Sequence, residues 1–82
     1  MTDQDILQSL SEILGDLLND ESIVLKMDTR REDVPDWDSL AYVNFIAMVE
    51  LRFGVKFRVS EIESFNNVAA VVAGIEAKRG AK

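Results

Sequence analysis

The stretch Val34-Pro35-Asp36-Trp37-Asp38-Ser39-Leu40-Ala41-Tyr42-Val43-Asn44-Phe45-Ile46-Ala47-Met48-Val49-Glu50-Leu51-Arg52-Phe53-Gly54-Val55 carries a proline-marked loop straight into a long apolar helical pattern. That reading places Ser39 at a helix N-terminus. Such a terminus offers unpaired backbone N–H groups and the positive end of the helix dipole, so a phosphate ester built on the Ser39 hydroxyl would be held favourably there. The chain itself does not activate this serine. It contains no histidine and no cysteine, and no lysine lies near Ser39. Only carboxylates remain as bases, and they are too acidic for the task. A serine that is presented but not activated points to a modification site.

Asp38-Ser39-Leu40 at the head of this helix, with Glu50 and Phe53-Gly54-Val55 at its end, resembles the acyl carrier proteins. The resemblance extends over essentially the whole chain: a helix before the motif, a long loop, the motif helix, a short helix and a final one. It implies that Ser39 carries 4'-phosphopantetheine, with Asp38 and Leu40 completing the motif and Asp38 mattering when the phosphopantetheinyl transferase docks. The arm's thiol would hold an acyl group as a thioester, so the protein would be a carrier and not an enzyme. The implied partners are the transferase, an acyl- or aminoacyl-activating ligase and acyl-transfer enzymes. Two departures are visible. Many carriers have glycine two residues before the aspartate, where this chain has Asp36. Carriers of fatty acid synthesis show acidic residues on the outward face of the motif helix, where Ala41, Asn44, Met48 and Leu51 are expected here. With Trp37 before the motif, the chain resembles stand-alone carriers of specialised pathways.

Composition agrees. The 82 residues read as a single domain, 1–82, that would bury about 60% of its unfolded surface. A net charge of -6 and a pI near 4.4 argue against a nucleic-acid binder and against adsorption to anionic membranes, and favour basic partners. Without cysteine there are no disulfides or thiolate metal sites, and Met1-Thr2-Asp3-Gln4-Asp5 lacks the features of a signal peptide. No apolar run approaches the ~20 residues of a membrane span. A cytoplasmic monomer is expected.

Ile6, Leu7, Leu10, Ile13, Leu14, Leu17 and Leu18 fall at helical spacing, with Thr2 as N-cap and Asp3 and Asp5 in the first turn. From Asn19 to Trp37 a polar connection follows, tethered by Ile23, Val24, Leu25 and Met27. Its acids, Asp28, Glu32, Asp33, Asp36 and Asp38, invite a calcium reading, but the spacing lacks the glycine and the closing glutamate of an EF-hand. No metal site is expected, and Asp36 and Asp38 read as N-cap and first-turn carboxylates. In the motif helix, Leu40, Val43, Ile46, Ala47, Val49 and Phe53 are assigned to the core. Val55-Lys56-Phe57-Arg58-Val59 alternates like a strand but has no partner strand, so it reads as an extended connection. Ser60 and Glu63 form a capping-box pattern for a short helix. Asn66 or Asn67 then caps a last helix with Val68, Val71, Val72 and Ile75 on one face, followed by a frayed tail Lys78–Lys82. The expected fold is an all-α four-helix bundle with a long first loop and a short third helix.

An acyl carrier is the leading function. An aminoacyl or peptidyl carrier with the same arm is an alternative, as is an unmodified helical adaptor in which Ser39 is merely a helix cap.

Overall fold

Thr2 opens α1 (Asp3–Leu18) through a reciprocal box: its hydroxyl accepts from the Asp5 N–H at 3.2 Å, and the Asp5 carboxylate accepts from the Thr2 N–H at 3.0 Å. The computed structural model describes residues 2–80. The apolar stripe of α1 is buried from Ile6 to Leu14, with Leu17 and Leu18 packed at its margin. The helix stops at Asn19, in the left-handed conformation with φ 56°. Gly15 has a reason to be glycine here, since a Cβ would stand 3.0 Å from the Asp20 carbonyl oxygen.

The long connection is pinned by backbone and side-chain polar groups as well as by Leu25. The Leu25 N–H donates to the Ser11 hydroxyl at 2.9 Å, which in turn donates to the Leu7 carbonyl. Ile23 and Met27 lie against the core, whereas Val24 points into solvent, contrary to its expected role as a tether. A 3-10 turn occupies Arg31–Asp33. The Met27 and Thr29 carbonyls accept from the Ala69 and Val68 N–H groups, each at 2.8 Å. With the Asn67 side chain accepting from Ala70, the loop thus satisfies the start of the last helix.

After the loop come α2 (Ser39–Phe53), α3 (Val59–Ser64) and α4 (Val68–Gly80). The expected all-α architecture of four helices is observed, with no strand among the described residues. Helix α1 packs against both α2 and α4. The centre is built from Leu10, Leu14, Phe45, Val49, Val72 and Ile75, all fully enclosed. Burying such side chains is the main stabilising term for a domain of this size.

Two expectations at the later helices are corrected. Helix α3 begins at Val59 and not after Ser60, because the Arg58 N–H finds the Glu61 carboxylate at 2.8 Å. The apolar Val59 is thereby drawn into the first turn. Helix α4 continues through Lys78 and Arg79 to Gly80, and Lys78 bonds Glu61 at 3.0 Å instead of fraying. Ala81 and Lys82 lie outside the described residues.

Glu50 explains how α2 ends. Its carbonyl accepts from both Gly54 and Val55, and its carboxylate accepts from the Phe57 N–H at 2.8 Å. Gly54 takes φ 67°, the left-handed cap position that glycine occupies without steric cost. The following connection is extended, with Val55 and Phe57 buried and Lys56 and Arg58 exposed.

Candidate functional site

The site begins one turn before the motif. The Trp37 N–H closes onto the Val34 carbonyl at 3.3 Å, with Pro35 in the second position and Asp36 in the third at φ 69°. This is the arrangement of a type II turn, whose third residue needs positive φ and is usually glycine. Asp36 therefore holds a left-handed backbone position that glycine would adopt without steric cost. It is exposed and does not cap α2, so the expected cap role belongs to Asp38 alone.

Asp38 has extended backbone, and its carboxylate accepts from the Ala41 N–H at 2.9 Å. Its carbonyl accepts from the Tyr42 N–H at 2.8 Å, closing the first helical turn. The N–H groups of Ser39 and Leu40 lie in the first turn, where α-helical geometry provides no intrahelical acceptor. Together with the dipole end they are suited to a phosphate oxygen, although the Asp38 carboxylate shares the same terminus.

Ser39 is the first residue of α2 and is exposed, and no hydrogen bond holds its hydroxyl among the described residues. The Ser11, Ser22 and Ser64 hydroxyls are all engaged locally. Ser39 also borders an open cleft of about 610 Å³ between α2 and α3, with Tyr42, Val43, Val59, Ile62 and Phe65 in its apolar lining and Arg31 and Glu32 also bordering it. This combination of accessible hydroxyl, helix terminus and adjoining apolar trough fits a phosphate-linked arm.

Trp37 is a packing residue. It is 5% exposed and meets Phe45 edge-on at 5.1 Å between ring centroids. Its other ring neighbour is Tyr42, at 6.3 Å. Among the described residues no group of three or more His, Cys, Asp or Glu side chains could hold a metal ion. Of the acids in this region, Asp33 accepts from the Arg30 N–H at 3.0 Å, much as Asp38 does from Ala41.

The phase of α2 differs from the sequence reading. Ile46, Val49 and Phe53 are buried as expected, but Leu40 is 72% exposed, Val43 59% exposed, and Ala47 also faces solvent. Phe45 and Tyr42 take the inward positions instead. Of the expected outward stripe, Asn44 and Leu51 are exposed, while Ala41 and Met48 are half-buried against the core. A helix that is apolar on all sides does not choose a face by periodicity. Here the buried side carries Phe45, Ile46, Val49 and Phe53, with Trp37 edge-on to Phe45. The outward face is largely apolar, with Leu40, Val43, Ala47 and Leu51 along it beside the exposed Asn44.

Sequence reasoning also missed Tyr42, whose hydroxyl donates to the Ile62 carbonyl at 2.7 Å and ties α2 to α3. Burial raises its pKa, outweighing the opposing pull of nearby Arg31, so it remains a donor at neutral pH.

A model of the phosphopantetheine attachment site family matches residues 4–75. No curated protein matches the chain. Among solved structures, the solution NMR structure of a holo acyl carrier protein from Geobacter metallireducens is similar with a TM-score of 0.83 and 31% identity. The match covers 90% of this chain and 85% of that one.

Proposed function

The chain belongs to the acyl carrier proteins, which bear 4'-phosphopantetheine and are not enzymes, and on that premise we propose that Ser39 is the residue to which the arm is attached. The observation that carries this reading is the Ser39 hydroxyl itself. It is exposed, without a hydrogen bond among the described residues, at the first position of α2 and at the edge of the apolar cleft. Asp38 orders the terminus, and the Ser39 and Leu40 N–H groups would meet the phosphate. The bound arm supplies a thiol that holds acyl groups as thioesters. Val43, Val59 and Ile62 offer the arm an apolar wall.

Residues 1–82 form one carrier unit in this proposal. Its partners are a phosphopantetheinyl transferase, an activating ligase and acyl-transfer enzymes, in a cytoplasmic setting where coenzyme A is at hand. No described helix is long and apolar enough to cross a membrane. The pathway is a specialised one, a reading supported by the apolar outward face of α2, which lacks carboxylates to steer basic partner patches.

Incubation with coenzyme A, magnesium and a broad-specificity phosphopantetheinyl transferase, followed by intact-mass measurement, tests the assignment. One phosphopantetheinyl increment is expected, and none in Ser39→Ala. An alanine variant that still gains the mass would overturn it.

A further inference from the structure

The chain carries a net charge of -6, and the surroundings of Ser39 share in it: Glu32 and Glu63 border the cleft, and the Asp38 carboxylate caps the adjoining helix. A phosphodiester on Ser39 would add negative charge to an already acidic corner. One cation faces it. Among the residues bordering the cleft only Arg31 is basic.

Arg31 is not committed to a carboxylate. The ion pairs among the described residues join Arg52 to Glu12 and Lys78 to Glu61, and neither includes it. Its guanidinium lies instead over the Tyr42 ring, 5.3 Å from the centroid. A guanidinium on a ring face keeps its N–H fork available, and that fork matches the oxygens of a phosphate. The backbone beneath it is fixed, since the Asp33 carboxylate accepts the Arg30 N–H at 3.0 Å and the Arg31 carbonyl accepts the Val34 N–H at 3.2 Å. Tyr42 is held in turn by its bond to the Ile62 carbonyl at 2.7 Å. Ser39 and Tyr42 stand three residues apart on α2, so they share a face with Cβ atoms about 5–6 Å apart. Long helical side chains lean toward the helix N-terminus, the end that Ser39 occupies. The seat of the guanidinium is therefore one turn from the attachment hydroxyl.

Resting on the reading that Ser39 carries the arm, we propose that Arg31 is a positioning residue whose guanidinium, seated on Tyr42, takes the phosphate of that arm. The phosphate then has donors of two kinds, the N–H groups that open α2 and the side chain of the preceding loop. This contact fixes the direction in which the arm leaves Ser39 and offsets the repulsion from Glu32, Asp38 and Glu63. A surface ion pair is weak enough for a partner enzyme to lift the arm away.

The test uses the full chain, apo and pantetheinylated, with Arg31→Gln, Arg31→Lys and Arg30→Gln beside the wild type, and intact mass confirms one arm on each. Arg30 is exposed and does not border the cleft, so Arg30→Gln removes the same charge without the contact. Adding the arm should lower the melting temperature of Arg31→Gln by about 1–5 °C more than that of the wild type or Arg30→Gln, the scale of one exposed ion pair in a small domain. High salt should shrink this excess. In phosphorus NMR spectra the phosphodiester of the folded wild type should resonate away from its position in urea, and Arg31→Gln should move it toward the unfolded value. Arg31→Lys keeps the charge without the fork and should fall between. An arm that changes melting and the phosphorus resonance equally in the wild type and Arg31→Gln overturns the proposal, as does Arg30→Gln matching Arg31→Gln. Failure of the wild type to load, or loading of Ser39→Ala, instead overturns the attachment reading and the inference with it.

Discussion

The Asp38 carboxylate accepts the Ala41 N–H at 2.9 Å, so the cap of α2 is the residue just before the candidate attachment serine. Capping and presentation are thereby divided between neighbours. Asp38 satisfies the terminus, and the Ser39 hydroxyl is spared for other chemistry.

This division predicts opposite behaviour for two adjacent substitutions. Asp38→Ala should cost about 0.5–2 kcal/mol, the usual loss of an N-cap, while Ser39→Ala should stay within about 0.5 kcal/mol of the wild type, as expected for an exposed non-capping position. Urea denaturation followed by circular dichroism measures both. A Ser39→Ala loss equal to that of Asp38→Ala would make the serine a structural cap.

Phe53 is buried where α2 ends against the core, whereas Leu40 at the other end is exposed. Phe53→Ala should cost about 3–5 kcal/mol, which rivals the whole stability of a small domain. Leu40→Ala should melt almost unchanged. Thermal melts of the two variants check the phase of α2 directly, since the spacing of apolar residues alone would place both in the core.

Asp36 holds φ 69° at the third position of its turn. Aspartate tolerates this region better than most residues, and glycine enters it freely at the expense of a more flexible unfolded chain. Asp36→Gly should therefore stay within about 0.5 kcal/mol of the wild type, whereas the β-branched Asp36→Val should lose about 1–2 kcal/mol. Equal stability for the two variants in denaturant would show that the turn relaxes.

Glu76 has its pKa raised, chiefly by a hydrogen bond shared with Asp3 and then by burial and the repulsion of that carboxylate. A raised folded pKa means that this contact stabilises fully below the unfolded carboxylate pKa and is lost as pH rises through the folded value. At higher pH that bond is lost and the Asp3 carboxylate repels Glu76. Glu76→Gln should raise the melting temperature at pH 7, by less at high salt, and the gain should vanish in acid, where the carboxyl is protonated. Asp5, Asp20 and Glu61 act in the opposite sense. Their pKa values are lowered by bonds from Thr2, Ser22 and Arg58 respectively, so their contribution is present above the unfolded carboxylate range and fades as pH falls through the folded values.

The exposed face of α2 carries Leu40, Ala47 and Leu51. Glutamates at Ala47 and Leu51, which lie away from the attachment motif, should leave the fold intact and weaken binding to the cognate partner. They should also improve turnover with fatty-acid-type carrier-dependent enzymes, with a gain that shrinks as salt rises. Glutamates at the half-buried Ala41 and Met48 would confound the same test by disturbing the core. Steady-state assays with the pantetheinylated variants separate these outcomes.

Local signals were sufficient for several caps and stripes, though not for α3, where Arg58 and Glu61 form the cap expected at Ser60 and Glu63. Thr2, Asp38 and Asn67 accept backbone N–H groups three residues ahead, the left-handed stop at Gly54 needs no distant partner, and the stripes of α1 and α4 each leave only one side to bury. The meaning of Asp38-Ser39-Leu40 came from the resemblance to the acyl carrier proteins, whereas the four-helix order was legible too. The rotation of α2 was not, because a helix apolar around its whole circumference satisfies a core with any face. Only the tertiary packing turns Phe45 inward, where Trp37 meets it edge-on. Nor could spacing reveal the bond from Tyr42 to the Ile62 carbonyl or from Phe57 to the Glu50 carboxylate, since each depends on where separate elements come to rest. The cleft beside Ser39 is a product of that packing. Sequence period defines a face, but only tertiary contact between faces makes a wall.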